Sequence, residues 1–523
     1  MLALCLTRLS TDRVRRERLG RSWRCTAPEG RAADGGDGAP APLALYRTVA
    51  NANRLTALCE TAEAGGLAPG LGLAEAKARF PGLEVLEADP AADRRLLEAV
   101  ADWCDRYTPL VALDPPHGLV LDISGCAHLF GGERGLLDDL LARLFHQGFA
   151  ASAAIAGHAG TALALAAHRP GLMVGAGAEI AAIGDLPVAA LRLEPELAAT
   201  LLRLGLTTLG ALLALPRAAL ARRFGADLLL RLDRAAGRAD RPIGPRRPVP
   251  LLIAERRLFE PVSRTEDVEA ILLALAERLR GDLERRGEGA RRLELSLFRV
   301  DGQVARLTVG TSEPQRDPRR IQSLFRERLA AVGDELDAGF GYDLVKLTVL
   351  QAEGLADRQE DLSRPDADDR TVGTLLDRLG ARLGEASVLR LSPVASHWPE
   401  RAQDLAPAVA GPAAAASGED ERLWLFTAPR PLRLLADPEP VEAVAEVPEG
   451  PPIRFRWRRA LHGVRRSEGP ERIEPEWWRA SGAAARDYFR VEDEEGRRYW
   501  LFREGFYGRG EVEPAWYLHG FFA

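Results

Sequence analysis

Hydrophobic periodicity changes repeatedly along this chain, so no single fold accounts for it. Residues 1–167 mix short apolar runs with helical spacing, and 183–238 are helical throughout with Gly-centred breaks. Residues 250–352 alternate strand and helix patterns, and segments beyond Trp424 alternate at period two. A period near 3.6 places one apolar stripe on a helix, whereas a period of 2 places one apolar face on a strand. A chain of 523 residues has the length for several such cores. Its 46% hydrophobic and 28% charged residues fit a soluble globular protein.

No apolar run reaches the roughly 18 residues of a membrane span. The start, MLALCLTRLSTDRVRRERLG, puts its basic residues after a short apolar stretch, the reverse of a secretory signal. Cys5, Cys25, Cys59, Cys104 and Cys126 lack paired metal spacing and read as free thiols of a reducing compartment. A cytoplasmic location without membrane contact is expected.

Residues 2–9 read as a strand, with Ser10, Thr11 and Asp12 as candidate caps for a helix through Arg21. The Gly/Ala/Pro/Asp-rich stretch 26–42 reads as a loop, followed by a strand from Leu43 to Thr48 and a helical region to Phe80. A helix over 91–107, strands at 110–113 and 118–123, and a helix over 133–146 complete a mixed α/β unit with the small-residue segment 149–167. Further on, strand 251–258, helix 266–285, strands 291–299 and 303–310, helix 317–332 and strand 343–351 give the order β-α-β-β-α-β of a ferredoxin-like sheet. A helix over 371–383 and an Ala/Pro-rich linker, 402–418, follow.

Within the helical region, LLRLGLTTLGALLALP (201–216) has a Leu-Gly-Leu hairpin at Gly205, with Thr207 or Thr208 capping the next helix. This is the helix–hairpin–helix pattern, which aims backbone N–H groups at a phosphate; an ordinary αα-hairpin gives the same pattern. The net charge of −6 opposes a uniformly DNA-coating surface, yet Pro216–Arg247 holds nine Arg against three Asp. That stretch reads either as a phosphate-contacting surface or as a solvated helical face. In IRFRWRR (453–459), Arg454, Arg456 and Arg458 share one face, and Phe455 and Trp457 the other. Such aromatics stack on single-stranded nucleic acid or form the core of a small domain.

The order of a palm-like α/β unit, a helix–hairpin–helix and a ferredoxin-like unit resembles the Y family of translesion DNA polymerases over about residues 1–352. The resemblance is closest to its ImuB-type branch, held to be catalytically inactive. It is carried by LDISGCAHLFGGE (121–133), GLAPGLGLAEAKARFPGLEVLEADP (66–90), SVLRLSPVASHWPERA (387–402), RDYFRVEDEEGRRYWLFREG (486–505) and the terminal WYLHGFFA. It implies an α+β multidomain chain: palm and fingers over 1–175, thumb over 176–247 and little finger over 248–356. A clamp-motif segment, helix and linker over 357–420 and a β-rich C-terminal interaction domain over 421–523 complete it.

Active members of the Y family hold two magnesium ions with an Asp-x-Asp motif on the first strand and an Asp-Glu pair on a later one. Anchoring on Leu121-Asp122-Ile123-Ser124-Gly125 puts the Asp-Glu pair on His117 and Gly118, and the first-strand positions fall near Leu6 and Arg8. The Tyr and Arg that meet the incoming triphosphate become Glu60 and Glu63, which repel phosphate. Mg²⁺ requires hard oxygen ligands, so no catalytic residue, metal or cofactor is expected. The alternative is an active lesion-bypass polymerase with ligands displaced to Asp12, Asp114 and Asp122; Asp12 otherwise reads as a helix cap and Asp114 as a turn residue. His117 and His128 lack companions at zinc spacing.

The resemblance implies an adaptor in SOS-induced mutagenic translesion synthesis. Its implied partners are the sliding clamp, a RecA-like accessory protein, an error-prone C-family polymerase and primer–template DNA bound without sequence preference. The clamp peptide position holds Gln359-Glu360-Asp361-Leu362-Ser363, where Gln359, Asp361 and Leu362 are candidate contacts and Ser363 replaces an aromatic. Arg422-Leu423-Trp424-Leu425-Phe426 has the apolar end without Gln and reads as a strand. Candidate DNA contacts are Gly205, Thr207, Thr208, Arg222 and Arg223 in the thumb, with Arg319 and Arg320 in the little finger.

Overall fold

The computed structural model describes residues 1–26, 40–49, 51–240, 242–333, 336–355, 367–410, 429–446, 450–476, 478–479, 484–505 and 514–522, with backbone alone for 26, 367–371, 393 and 410. Met1–Val309 with Pro314–Glu360 form one compact unit, and Gly310–Glu313 with Asp361–Ala523 another. No helix among the described residues is long and apolar enough to cross a membrane.

The first unit opens with β1 (Leu2–Cys5), α1 (Leu9–Leu19) and α2 (Trp23–Thr26). The helix α1 begins at Leu9, so Ser10, Thr11 and Asp12 lie inside it and Arg8 occupies the capping position. β2 (Leu43–Val49) and β3 (Ala52–Leu58) form a hairpin turned by Asn51 at φ 60°. The helical expectation after Thr48 is therefore corrected: Ala52–Leu58 is a strand, and helix resumes only at α3 (Glu60–Ala64) and α4 (Leu73–Arg79). Ala and Leu in ANRLTAL favour helix locally, but pairing with β2 buries Leu55 and Leu58. β4 (Glu84–Glu87) pairs in parallel with β2, giving the sheet order β3-β2-β4.

Next come α5 (Pro90–Cys104), capped by Asp89, the hairpin β5 (Val111–Asp114) and β6 (Gly118–Leu121), α6 (Glu133–His146), β7 (Ser152–Ile155) and α7 (Ala159–His168). These strands form an antiparallel sheet in the order β5-β6-β1-β7, with β1 central. Burial on both faces explains why β1 reads LALC without alternation. One face packs Leu2, Leu4 and Leu6 against Trp103, Leu140 and Phe149. The other packs Ala3 and Cys5 against α7 and the helices that follow.

Those helices are α8 (Glu179–Ile183), α9 (Pro195–Arg203), α10 (Leu209–Leu213), α11 (Arg217–Phe224) and α12 (Ala226–Ala235). Beyond them run β8 (Leu252–Val262), α13 (Thr265–Arg286), β9 (Glu288–Arg299), β10 (Val304–Gln315), α14 (Pro318–Val332) and β11 (Tyr342–Gly354). The element order is β-α-β-β-α-β, and the strands lie in the order β10-β9-β11-β8. Phe298 and Leu344 from this sheet belong to the same apolar core as Trp103 and Leu140. Buried Arg106 pairs with buried Asp343 at 2.9 Å, and Arg306 pairs with Asp105 at 2.6 Å.

In the second unit, α15 (Ala367–Leu383) precedes the paired strands β12 (Leu389–Pro393) and β13 (Gln403–Pro407). The expected linker thus contributes a strand at its start, and its residues 411–418 lie outside those described. β14 (Arg433–Ala445), β15 (Pro452–Trp457), β16 (Ala460–Ile473), β17 (Arg486–Asp493), β18 (Arg498–Glu504) and β19 (Ala515–Phe521) close into a barrel. Phe455, Phe489, Tyr499, Leu501, Trp516 and Leu518 fill it. Phe455 is buried while Arg454 and Arg456 face outward, as the period-two pattern requires. Arg458 departs from that pattern: with φ 47° it turns between β15 and β16.

Candidate functional site

Of the four positions expected to have lost metal ligands, Leu6, His117 and Gly118 meet at one end of the central strand. The Leu6 backbone N–H donates to the His117 carbonyl at 2.8 Å, and Gly118 stands opposite Cys5 across β1 and β6. Leu6 points into the core and is fully buried. Gly118 leaves no room for a side chain: a Cβ there falls 2.8 Å from the Asp114 carbonyl oxygen and 3.0 Å from its Oδ2. Burial, reinforced by nearby Arg192, lowers the His117 pKa and favours a neutral ring. The set therefore offers one imidazole and one guanidinium, and it does not fit Mg²⁺.

Arg8 closes the region with charge. Its Nη1 lies 3.2 Å from Glu60 Oε1 and its Nη2 2.5 Å from Glu63 Oε2, both on α3. Arg24 reaches Glu60 at 3.4 Å and Asp12 at 2.8 Å. Arg8 thus meets two anions on α3. An open cavity of about 470 Å³ beside them is lined by Thr7, Arg8, Arg24, Glu60, Phe149 and Ser152, among others.

The three carboxylates of the displaced-ligand alternative are each engaged separately. Asp12 is buried, takes the Ala150 N–H at 2.8 Å and pairs with Arg24, so it is neither a cap nor a free ligand. Its burial raises the carboxyl pKa, with Arg24 opposing. Asp114, buried at the end of β5, forms a close ion pair with Arg192. Asp122 accepts the Ser124 N–H at 2.9 Å, the local turn contact that Asp makes readily. Among the described residues, no group of three or more His, Cys, Asp or Glu is placed to hold a metal.

The candidate DNA contacts fall on two separate helical regions. Gly205 adopts φ 78° in the hairpin after α9, a conformation glycine tolerates. Thr208 caps α10, its hydroxyl accepting the Ala211 N–H at 3.2 Å, while Thr207 is exposed. Arg222 and Arg223 project from α11 without an ion pair among the described residues. Much of the surrounding basic stretch is neutralised: Arg217 pairs with Asp233 at 2.5 Å, Arg231 with Asp227 at 2.8 Å, and Arg246 with Asp102 at 2.9 Å. Arg319 is exposed and Arg320 half-buried in the first turn of α14. Gln359, Asp361 and Leu362 lie outside the described residues, as does 422–426.

Sequence reasoning missed the partners of these groups. Arg24 and Arg192 neutralise buried carboxylates, and nothing in their local sequence announces it. Lys346 is one of only two lysines in the chain. It is buried, donates to the Asp105 carbonyl at 2.8 Å and lies 3.2 Å from Glu255; burial lowers its pKa.

The succession of antiparallel sheet, helical region and β-α-β-β-α-β sheet is the order of elements that the resemblance implied. Residues 251–364 match the model of the impB/mucB/samB family C-terminal domain. Two proteins of Caulobacter vibrioides, from strains NA1000 / CB15N and ATCC 19089 / CIP 103742 / CB 15 and both called Protein ImuB, are each 44% identical over 471 residues. That alignment covers 87% of this chain and 100% of theirs. The chain belongs to the ImuB family. Similar solved structures include DinB from Sulfolobus solfataricus, 12% identical with a TM-score of 0.38 over 66% of this chain and 98% of that one. An insertion ternary complex of Dbh DNA polymerase is also 12% identical, with a TM-score of 0.38 over 68% and 99%.

Proposed function

We propose that this chain is a non-catalytic adaptor in SOS-induced mutagenic translesion DNA synthesis, acting in the cytoplasm. The observation that carries the reading is the exchange of charge around Arg8. Two-metal nucleotidyl transfer needs anionic oxygens at the primer end and cations on the triphosphate. Here Leu6, Arg8, His117 and Gly118 stand at the first set of positions and Glu60 and Glu63 at the second. The chain then serves by position. Gly205, Thr207, Thr208, Arg222, Arg223, Arg319 and Arg320 hold primer–template DNA through its phosphates. Gln359, Asp361 and Leu362 engage the sliding clamp. The C-terminal domain recruits a RecA-like accessory protein and an error-prone C-family polymerase, which performs the synthesis.

The test is primer extension by the purified protein with Mg²⁺ or Mn²⁺, with DNA binding measured in the same sample. Bound DNA without extension is the expected result. Extension that Asp12→Asn, Asp114→Asn or Asp122→Asn abolishes would overturn the reading and establish a relocated metal site.

A further inference from the structure

We propose that the outer face of β15 and β16 is a second DNA surface, one that grips the phosphates of duplex DNA and makes no contact with bases. Residues 454–466 contain six arginines and no acidic residue, in a chain whose net charge is −6. The barrel sets all six at its surface by three separate devices. Strand alternation turns Arg454 and Arg456 outward while Phe455 packs inside. Arg458 and Arg459 form the connecting turn at φ 47° and 71°, a conformation that is uncommon for non-glycine residues and holds both out from the sheet. Between β16 and β17 the register slips, with Val464 opposite Asp493 but Arg466 opposite Glu492. The unpaired residue of that bulge is Arg465, which lets consecutive arginines both face solvent.

Nearby acids neutralise only part of this charge. Glu439 holds Arg458 at 2.5 Å and Glu442 lies 3.5 Å from Arg456. Glu492, opposite Arg466, is paired with Arg498 at 3.3 Å, and Glu494 sits beside Gly463. Arg454, Arg459, Arg465 and Arg466 form no ion pair among the described residues. Like charges on neighbouring strands destabilise a sheet, so this arrangement favours an external polyanion. The ligand is a duplex because the barrel aromatics are turned inward. Phe455 and Tyr499 fill the core and Trp457 packs partly against it, leaving no platform for unstacked bases at this face. Duplex DNA offers the denser row of phosphates, one charge per roughly 1.7 Å of axis. Arg454 stands opposite Gly463, beside which the Glu494 carboxylate lies without forming an ion pair to Arg454 among the described residues.

The experiment compares the full chain with a triple variant, Arg454→Ser, Arg465→Ser and Arg466→Ser, chosen because these exposed side chains form no ion pair among the described residues. Binding to duplex and to single-stranded DNA of one length is titrated by fluorescence anisotropy at several salt concentrations. Near-ultraviolet circular dichroism and a thermal melt report on barrel packing. The expected result is an unchanged fold, at least tenfold weaker duplex binding near about 50 mM salt, and a slope of log K against log salt reduced by up to about 2.7. Substitution of the three by Lys should restore the slope. An unchanged duplex affinity and slope, or a loss confined to single strands, overturns the proposal.

Discussion

Arg8 and Glu63 meet at 2.5 Å although 55 residues separate them in sequence. One belongs to the turn after the central strand of the larger sheet, the other to the short helix α3 beside the hairpin of β2 and β3. Both side chains keep some solvent contact, and exposed pairs contribute little net stability. A double-mutant cycle of Arg8→Ala and Glu63→Ala, read by urea unfolding, should give a coupling of about 1 kcal/mol or less. A coupling of several kcal/mol would show that the pair holds the fold together.

Restoring one carboxylate should harm the protein without creating a polymerase. Gly118→Asp forces a Cβ to within 2.8 Å of the Asp114 carbonyl oxygen and places a second acid beside Asp114. The strain should cost about 1–3 kcal/mol, seen as a lower melting temperature, with no primer extension. Wild-type stability in this variant would mean that the β5–β6 hairpin is looser than described.

Asp343→Ala should be among the most damaging single changes. It leaves buried Arg106 without its carboxylate and also removes a 2.7 Å partner from Arg143. An uncompensated buried guanidinium costs about 3–5 kcal/mol, readable as a shifted denaturant midpoint. A loss below about 1 kcal/mol would argue that water reaches Arg106.

Burial pushes the Asp105 carboxyl up to about 6, even with Arg306 at 2.6 Å. A raised carboxyl pKa means that the folded protein binds the proton more tightly than the unfolded chain. Its contribution to stability is therefore full below about pH 4, and is lost as pH rises through about 6. Asp105→Asn should flatten the pH dependence of unfolding free energy across that window. Parallel curves for wild type and variant would refute the assignment.

Gln359→Ala with Leu362→Ala should weaken binding to the sliding clamp in a direct binding assay and leave DNA affinity intact. Equal clamp affinity for both proteins would reject this peptide as the contact.

Regular elements were largely legible, and long-range pairings were not. The helix expected over 133–146 is Glu133–His146, and the β-α-β-β-α-β order is present with shifts of a few residues. Periodicity reports which face of an element is buried, so these emerge from sequence directly. Ala52–Leu58 escaped because its strand state depends on β2, and Asn51 at the turn was the available signal. Asp12 was misread because its local setting, near a helix start, suits a cap; burial against Ala150 and Arg24 decides its role instead. The ion pairs of Glu60 and Glu63 with Arg8 were not legible, since no local rule links α3 to the turn after β1.

The closed barrel carries one more implication. The sheet joins its first strand to its last, yet among the described residues Arg433–Val441 of β14 pairs only with β19 and Val464–Ile473 of β16 only with β17, so these two stretches are where a partner peptide can add as a strand. Elsewhere on this domain a docking protein must read outward side chains or connecting loops. Interface mapping there should accordingly respond to surface side-chain substitutions.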